Sequence, residues 1–270
     1  MGRYRYGGVG KLFKKVKQGS DKILGMRKVI KEIKKLFRSW GFDIVSNKKG
    51  KLSNRDLIDH DIKVVIKKDN PVVFDIGANK GQSIELYKSL FKNATVYSFE
   101  PNPELQEILL KKYHGRGDVI INPVALGERD EDNEFIIFEN SELSSFKPME
   151  SNKFNPFSGE KIKTKSVTQV LTLDTYLKKN NVESIDLLKI DTQGYEFEIL
   201  KGSLKTLEAK VIKNIYLELT LVPLYKNQSN YIDVISLLDK YNYQLVGFYE
   251  MRRYNNYIEW ANALFTLVEK

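Results

Sequence analysis

The stretch VVFDIGANKGQ at residues 72–82 sets a carboxylate, Asp75, at the end of an apolar run, then Gly77 and Gly81 in a G-x-x-x-G spacing. A helical pattern begins near Gly81, and a helix start presents unpaired backbone N–H groups to whatever lies in the crevice. The spacing is neither G-x-G-x-x-G nor G-x-x-x-x-G-K-[ST], the two common phosphate-cradling forms. A carboxylate next to a pyrophosphate costs about 4 kcal/mol at a separation of roughly 4 Å and an effective dielectric near 20. Next to an ammonium and a sulfonium the same carboxylate is stabilising, so the turn favours a cationic cofactor such as S-adenosylmethionine. A tight turn without a ligand is the competing reading.

The second group is SFEPNP at residues 98–103. Glu100 lies 19 residues after Gly81, about where a dinucleotide fold places the acid that binds ribose. A carboxylate accepts two hydrogen bonds at once and so suits a vicinal diol. Pro101 and Pro103 fix the turn and start the next helix.

These residues need elements to hold them. From Pro71 short apolar runs alternate with helical stretches: strands at 72–77, 94–101 and 118–126, with helices at 81–92 and 102–114 between them. That is βαβαβ, which predicts a parallel sheet with right-handed crossovers. Segments 134–140 and 161–170 alternate like a paired antiparallel insertion. A helix at 172–180, a strand at 184–191, a helix at 194–210, a strand at 214–220, a helix at 230–242 and a closing hairpin at 244–270 complete an α/β domain. The expected main sheet has seven strands, with the β-hairpin inserted beside it.

Composition narrows the chemistry. The 270 residues contain no cysteine and only two histidines, His60 and His114. Disulfides, thiolate zinc sites, iron–sulfur clusters and thiol nucleophiles are thereby excluded. With 41% hydrophobic residues the chain can bury a sizeable core. The net charge of +9 is uneven: residues 1–69 hold 20 Lys and Arg against 7 Asp and Glu, a net of +13, and the remainder holds 24 against 28, a net of −4. No apolar run reaches the roughly 18 residues of a membrane span, and the front of the chain has no secretory h-region. A cytoplasmic location is the expectation.

The motifs DIGANKGQ, SFEPNP, NPVALGERD (122–130), SSF (144–146), VTQVLTLDTYL (167–177), LLKIDTQGYEFEILKG (187–202) and LELTLVPLYKNQ (217–228) occur in this order. In that order the chain resembles FkbM-type methyltransferases over roughly residues 71–270. The resemblance implies a class I, Rossmann-like methyltransferase fold with an antiparallel last strand, S-adenosylmethionine as cofactor, and O-methylation of a sugar or polyketide hydroxyl. It implies that Asp75, Gly77, Ala78, Asn79, Gly81 and Gln82 hold the methionine part. Glu100, Pro101 and Asn102 would lie at the ribose, and Asn122, Val124 and Ala125 near the adenine. Such proteins usually carry an Asp before the final Leu-Phe strand; here WANALF has Asn262.

Methyl transfer needs the acceptor oxygen in line, within about 3–3.5 Å of the methyl carbon, and a group to take its proton. Asp191 in KIDTQGYE, at a strand end, is the first candidate base, with Glu196 and Glu218 as alternatives. The same three carboxylates could instead hold Mg²⁺, an all-oxygen site, although no metal is the favoured reading. Glu196 also reads as a favourable charge at a helix N-terminus, and Lys189 as a lysine snorkelling to the rim. Ser144, Ser145 and Tyr225 are the candidate substrate contacts, with an ordinary polar loop and a packing tyrosine as the competing readings.

Two units are expected: a basic tail and amphipathic helix over 1–52, and a methyltransferase domain over 53–270. Within the first, Ile23, Met26, Ile30, Ile33 and Phe37 form one helical stripe over 22–38 opposite a lysine-rich face. That helix either docks on the domain or lies on an anionic membrane; nucleic acid ranks third, since aromatic residues for base stacking are lacking. The functional expectation is an O-methyltransferase of a saccharide or glycoconjugate. The alternatives are a nucleic-acid methyltransferase anchored by the basic arm and a non-catalytic scaffold.

Overall fold

Val73 and Phe74 are adjacent in the first strand and both fully buried, each in a different core. Successive side chains of a strand point to opposite faces, so this strand has a helix layer on each side. The computed structural model describes residues 54–268. The expected basic tail, the helix at 22–38 and the boundary at 52/53 lie outside the described residues.

The elements in chain order are α1 (Asn54–Val65), β1 (Val72–Ile76), α2 (Gln82–Leu90), β2 (Thr95–Phe99), α3 (Pro103–Lys112), β3 (Val119–Asn122), β4 (Ala125–Leu126) and β5 (Glu131–Phe138). A 3₁₀ turn (Ser141–Leu143) precedes β6 (Ile162–Leu171), α4 (Leu173–Asn180), β7 (Leu187–Ile190), α5 (Glu196–Lys201) and α6 (Leu204–Glu208). The chain ends through β8 (Asn214–Thr220), α7 (Tyr231–Lys240), β9 (Tyr243–Tyr254) and β10 (Tyr257–Leu267).

Seven strands form the main sheet in the order β3-β2-β1-β7-β8-β10-β9. All neighbouring pairs from β3 to β8 are parallel, and β10 runs antiparallel to both β8 and β9. This is the fold expected of a class I, Rossmann-like methyltransferase, reversed strand included. One core packs Ile58, Ile62, Ile84, Tyr87 and Leu109 of α1, α2 and α3 against Val73 and Leu187. The other packs Tyr176, Ile199, Leu207, Val234 and Leu238 of α4 to α7 against Phe74, Ile76, Leu188 and Ile190. Burying each such side chain contributes about 1.5–3 kcal/mol. Among the described residues no helix is long and apolar enough to cross a membrane.

Two elements differ from the sequence expectation. The strand expected over 118–126 breaks: β3 stays in the main sheet, and β4 pairs parallel to β6 in a second sheet of order β4-β6-β5. Pro123, which lies between them, lacks the N–H that would continue a ladder. The inserted hairpin is therefore part of a three-stranded sheet. The helix expected over 194–210 divides into α5 and α6 at Gly202. A Cβ on Gly202 would lie 1.9 Å from the Gly127 carbonyl oxygen, so the chain packs backbone against backbone where it leaves α5.

Candidate active site

Each backbone N–H of the 77–81 turn is hydrogen-bonded within the protein. Gly77 N and Ala78 N donate to the Phe99 carbonyl at 3.0 and 3.1 Å, and Gly81 N to the Ala78 carbonyl at 2.8 Å. Asn79 N donates to Glu100 Oε2 at 2.8 Å and Lys80 N to Gln82 Oε1 at 3.1 Å. Phe99 at the end of β2 and Glu100 just after it take up three of these, and the other two close locally. The unpaired N–H groups expected at the helix start belong to α2 itself, whose N-cap Gly81 makes no side-chain cap hydrogen bond and whose first residues Gln82 and Ser83 lie on the cavity wall. The glycines serve geometry. Gly77 has φ 81°, and a Cβ there would lie 1.9 Å from the Asp191 carbonyl oxygen; Gly81 has φ 85° and is pressed on Tyr113 and Leu109.

Glu100 is the acid this turn presents. Its Oε1 accepts from Asn102 N at 2.9 Å while Oε2 accepts from Asn79 N, which leaves lone pairs on both oxygens. Burial pushes its carboxyl up to about 7, and the two backbone donors only partly offset this. Asn102 also caps α3, accepting from Glu104 N at 3.1 Å.

Asp75 takes a different place from the one expected. It is fully buried and absent from the cavity wall. Lys189 Nζ stands 3.0 Å from Asp75 Oδ1, donates to the Gly77 carbonyl at 2.9 Å and lies 3.8 Å from Asp191 Oδ2. Burial alone pulls the Lys189 ammonium down; the Asp75 and Asp191 carboxylates outweigh it and hold the group above the ordinary lysine value. The reading of Lys189 as a rim lysine is thus overturned, and Asp75 is the counter-ion beneath the turn. Their parallel register, Asp75 beside Lys189, makes the contact.

Beyond β7 the loop Thr192–Tyr195 turns sharply, with Gln193 at φ 57° and Gly194 at φ 87°. Gln193 Nε2 donates to Asp191 Oδ1 at 2.9 Å and reaches Glu218 Oε1 at 3.5 Å. Its Oε1 lies 3.0 Å from the Tyr225 hydroxyl, and its backbone carbonyl accepts from Ser145 Oγ at 2.7 Å. Which amide atom is oxygen follows from this network. Glu218 is held well above the ordinary glutamate range, by desolvation first and by Asp191 second.

One cavity of about 410 Å³ spans these groups, a size in the range of roughly 300–1,000 Å³ typical of small-molecule sites. Its wall includes Gly77, Ala78, Asn79, Gln82, Glu100, Pro101 and Ala125 of the expected cofactor set, Asp191 and Glu218 of the expected bases, and Ser144. Gly81, Asn102, Asn122 and Val124 are not on it. Asn122 donates to the Ser98 and Ile120 carbonyls and accepts from the Tyr176 hydroxyl at 2.8 Å, and Val124 packs on the core.

Three other assignments are corrected by placement. Glu196 Oε1 accepts from Thr192 N at 2.9 Å and Gly194 N at 3.2 Å, so it organises its own loop instead of facing the cavity. Burial raises its carboxyl to about 7. Ser145 and Tyr225 are buried tethers of Gln193. Ser144 Oγ accepts from Phe138 N at 3.2 Å, with its proton left to donate. With Glu196 turned away, the three-carboxylate Mg²⁺ cage does not form. Among the described residues no group of three His, Cys, Asp or Glu side chains is arranged to hold a metal ion.

The sequence reading left out Lys189 and Gln193 as site residues, and the contribution of the β9–β10 hairpin: Glu250, Arg252, Trp260 and Asn262 line the cavity. Asn262 had stood out only as a departure from a pattern. In the structure it is the register partner of Glu218 and donates to Glu250 Oε2 at 3.0 Å. The parity of Trp260 with Asn262 was visible, but not which face of the hairpin meets the crevice.

The methyltransferase FkbM domain model matches residues 75–245. The chain belongs to the FkbM methyltransferase family. It is 25% identical over 186 residues to the 2-O-methyltransferase NoeI of Sinorhizobium fredii, covering 66% of this chain and 74% of that protein. Among solved structures it is similar to the methyltransferase FkbM from Methylobacillus flagellatus, with a TM-score of 0.46 and 15% identity over 72% of this chain. The match spans 44% of that protein, less than half its length. It is also similar to the 1,6-didemethyltoxoflavin-N1-methyltransferase of Burkholderia thailandensis, with a TM-score of 0.43 and 9% identity, over 80% of this chain and 79% of that one.

The cavity of this FkbM-type methyltransferase fits S-adenosylmethionine. Glu100 keeps acceptor capacity for a ribose diol, Asn79 Oδ1 is buried without a hydrogen-bond partner, and Phe99, Pro101, Ala125 and Leu126 form an apolar wall.

Proposed function

We propose that the chain O-methylates a hydroxyl of a saccharide or glycoconjugate. The observation that carries this is the pair Asp191 and Glu218, reached by one Gln193 amide and facing the same cavity as Glu100. Supporting it are the 2-O-methyltransferase activity named for the relative and a wall of Ser141, Asn140, Gln193 and Asn262 interleaved with Trp260 and Phe146, polar groups and aromatic faces that suit a sugar.

S-adenosylmethionine supplies an electrophilic sulfonium methyl for in-line displacement. Glu100 would accept from the ribose hydroxyls, and Asn79 Oδ1 from the ammonium. Asp191 is the base: its carboxylate reaches the cavity, and Gln193 fixes its orientation. Glu218, whose carboxyl burial and the nearby Asp191 carboxylate hold well above the ordinary glutamate range, is placed to hydrogen-bond the acceptor hydroxyl and hold it in line. Phe146 and Leu143, carried by the insertion, add apolar surface to the same cavity wall.

The test supplies methyl-labelled S-adenosylmethionine with fractionated cell-surface polysaccharide, lipid-linked glycan and total RNA. Label in a saccharide fraction with wild type and not with Asp191→Asn supports the reading. Label in RNA, or equal transfer by the variant, overturns it.

A further inference from the structure

Following the sheet from β2 to β9, the cavity wall passes Glu100, Gly77, Asp191 and Glu218 and ends on the hairpin. If methyl transfer occurs at Asp191 and Glu218, the part beyond them is acceptor space. At its far end stands Arg252, register partner of Trp260. Two inter-strand steps separate β8 from β9, about 10 Å.

Arg252 is built into this position. Its Nε lies 2.9 Å from Oε2 of Glu259, a carboxylate with no exposure, while the guanidinium side chain itself is 43% exposed. Its Cζ is 4.8 Å from the ring centre of Phe157, another wall residue. Glu259 cannot reach a ligand; it and Phe157 set the plane of the guanidinium. The terminal nitrogens donate no hydrogen bond to another described residue, and the nearest approach to Glu259 is through Nε, so the four terminal N–H donors remain for the cavity. The neighbouring acid Glu250 receives Asn262 Nδ2 at 3.0 Å and has the Tyr216 hydroxyl at 3.5 Å.

We propose that Arg252 forms an oxyanion subsite, and that the acceptor is an acidic saccharide carrying a carboxylate, sulfate ester or phosphate ester, with its ring against Trp260. This rests on the saccharide reading above. A planar fork with its Nε fixed matches a two-oxygen anion bidentately, which a lysine cannot. Because Glu259 neutralises the pair, the attraction acts through short directed hydrogen bonds and not through a long-range field.

The test is calorimetric titration of the full chain, saturated with S-adenosylhomocysteine. The probes are methyl β-D-glucuronide, glucose 6-sulfate, glucose 6-phosphate and neutral methyl β-D-glucoside. At least tenfold tighter binding of one charged probe is expected, and the three identify which oxyanion it is. Arg252→Gln should abolish the preference. The double variant Arg252→Gln/Glu259→Gln should do the same without stranding a buried carboxylate, with S-adenosylhomocysteine affinity unchanged in both. Equal binding of charged and neutral probes, no binding of any charged probe, or a preference that survives in the double variant would overturn the proposal. Failure of S-adenosylhomocysteine itself to bind, measured first, sinks the underlying reading and this one with it.

Discussion

Lys189 and Asp75 form a 3.0 Å ion pair beneath the glycine turn, with Asp75 fully buried and no hydrogen bond of good geometry to either of its oxygens. Removing one member of such a pair leaves an uncompensated buried charge, at a cost of about 3–5 kcal/mol, whereas replacing both is far milder. Lys189→Met is therefore expected to lose stability on that scale in urea melts, and Asp75→Asn/Lys189→Met to regain more than half of the loss. Additive losses in the cycle would mean the two groups do not interact.

Cofactor affinity should depend on pH through Glu100. Free Glu100 titrates near 7 because of its burial, and a ribose diol is best held by the ionised form, which accepts two hydrogen bonds. Below pH 7 a proton must leave on binding, so S-adenosylhomocysteine affinity should fall by up to about tenfold per pH unit. Glu100→Gln should bind more weakly and with a flat profile between pH 5 and 8; a profile unchanged from wild type would show that another group titrates.

Stability should fall as pH rises from about 4.5 to 7. Glu196 has a folded-state pKa raised to about 7, so over this window the folded chain binds more protons than the unfolded one. The derivative of stability with pH is then negative, with a total effect on the order of 3 kcal/mol. Glu196→Gln keeps an acceptor for Thr192 N and Gly194 N and should make this slope shallower, the remainder coming from Glu100 and Glu218, whose carboxyls are raised by the same burial. Thermal melts at pH 5, 6, 7 and 8 measure it.

Asp191→Asn should lower kcat by about 10²–10⁴ while leaving the cofactor dissociation constant within twofold. Gln193→Ala, which frees the Asp191 side chain without removing it, should cost less than Asp191→Asn. A larger loss in Gln193→Ala than in Asp191→Asn would place the proton on another acceptor.

Gly77→Ala should destabilise the whole domain. The added Cβ meets the Asp191 carbonyl oxygen at 1.9 Å, at a φ of 81°, and the left-handed backbone alone costs about 1–2 kcal/mol. A chemical melt that matches wild type would mean the turn and β7 separate more easily than their packing implies.

The strand-turn-helix order of the domain could be read from the chain because apolar runs and caps agree there. Asn102 and Pro103 start α3, Thr172 caps α4 through Thr175 N, and Asn230 caps α7 through Ile232 N. Glu100 and Asp191 could be placed for the same reason: each follows the end of a buried strand. What escaped depends on distant partners. Asp75 and Glu196 look like ligand-facing acids until Lys189 and the amides of Thr192 and Gly194 are seen to claim them. Tyr225 looks like a stacking platform until the Gln193 loop, 32 residues earlier, lies against it. Arg252 and Trp260 belong to a hairpin whose inner face is set by pairing with β8, which no local pattern records.

The closed hydrogen bonding of the 77–81 turn has a mechanical consequence. Its five N–H groups are committed inside the protein, to Phe99, Glu100, Ala78 and Gln82. A molecule can therefore enter or leave the cavity without making or breaking a backbone hydrogen bond of the turn, whose shape is set by the protein's own bonds and not by its occupant.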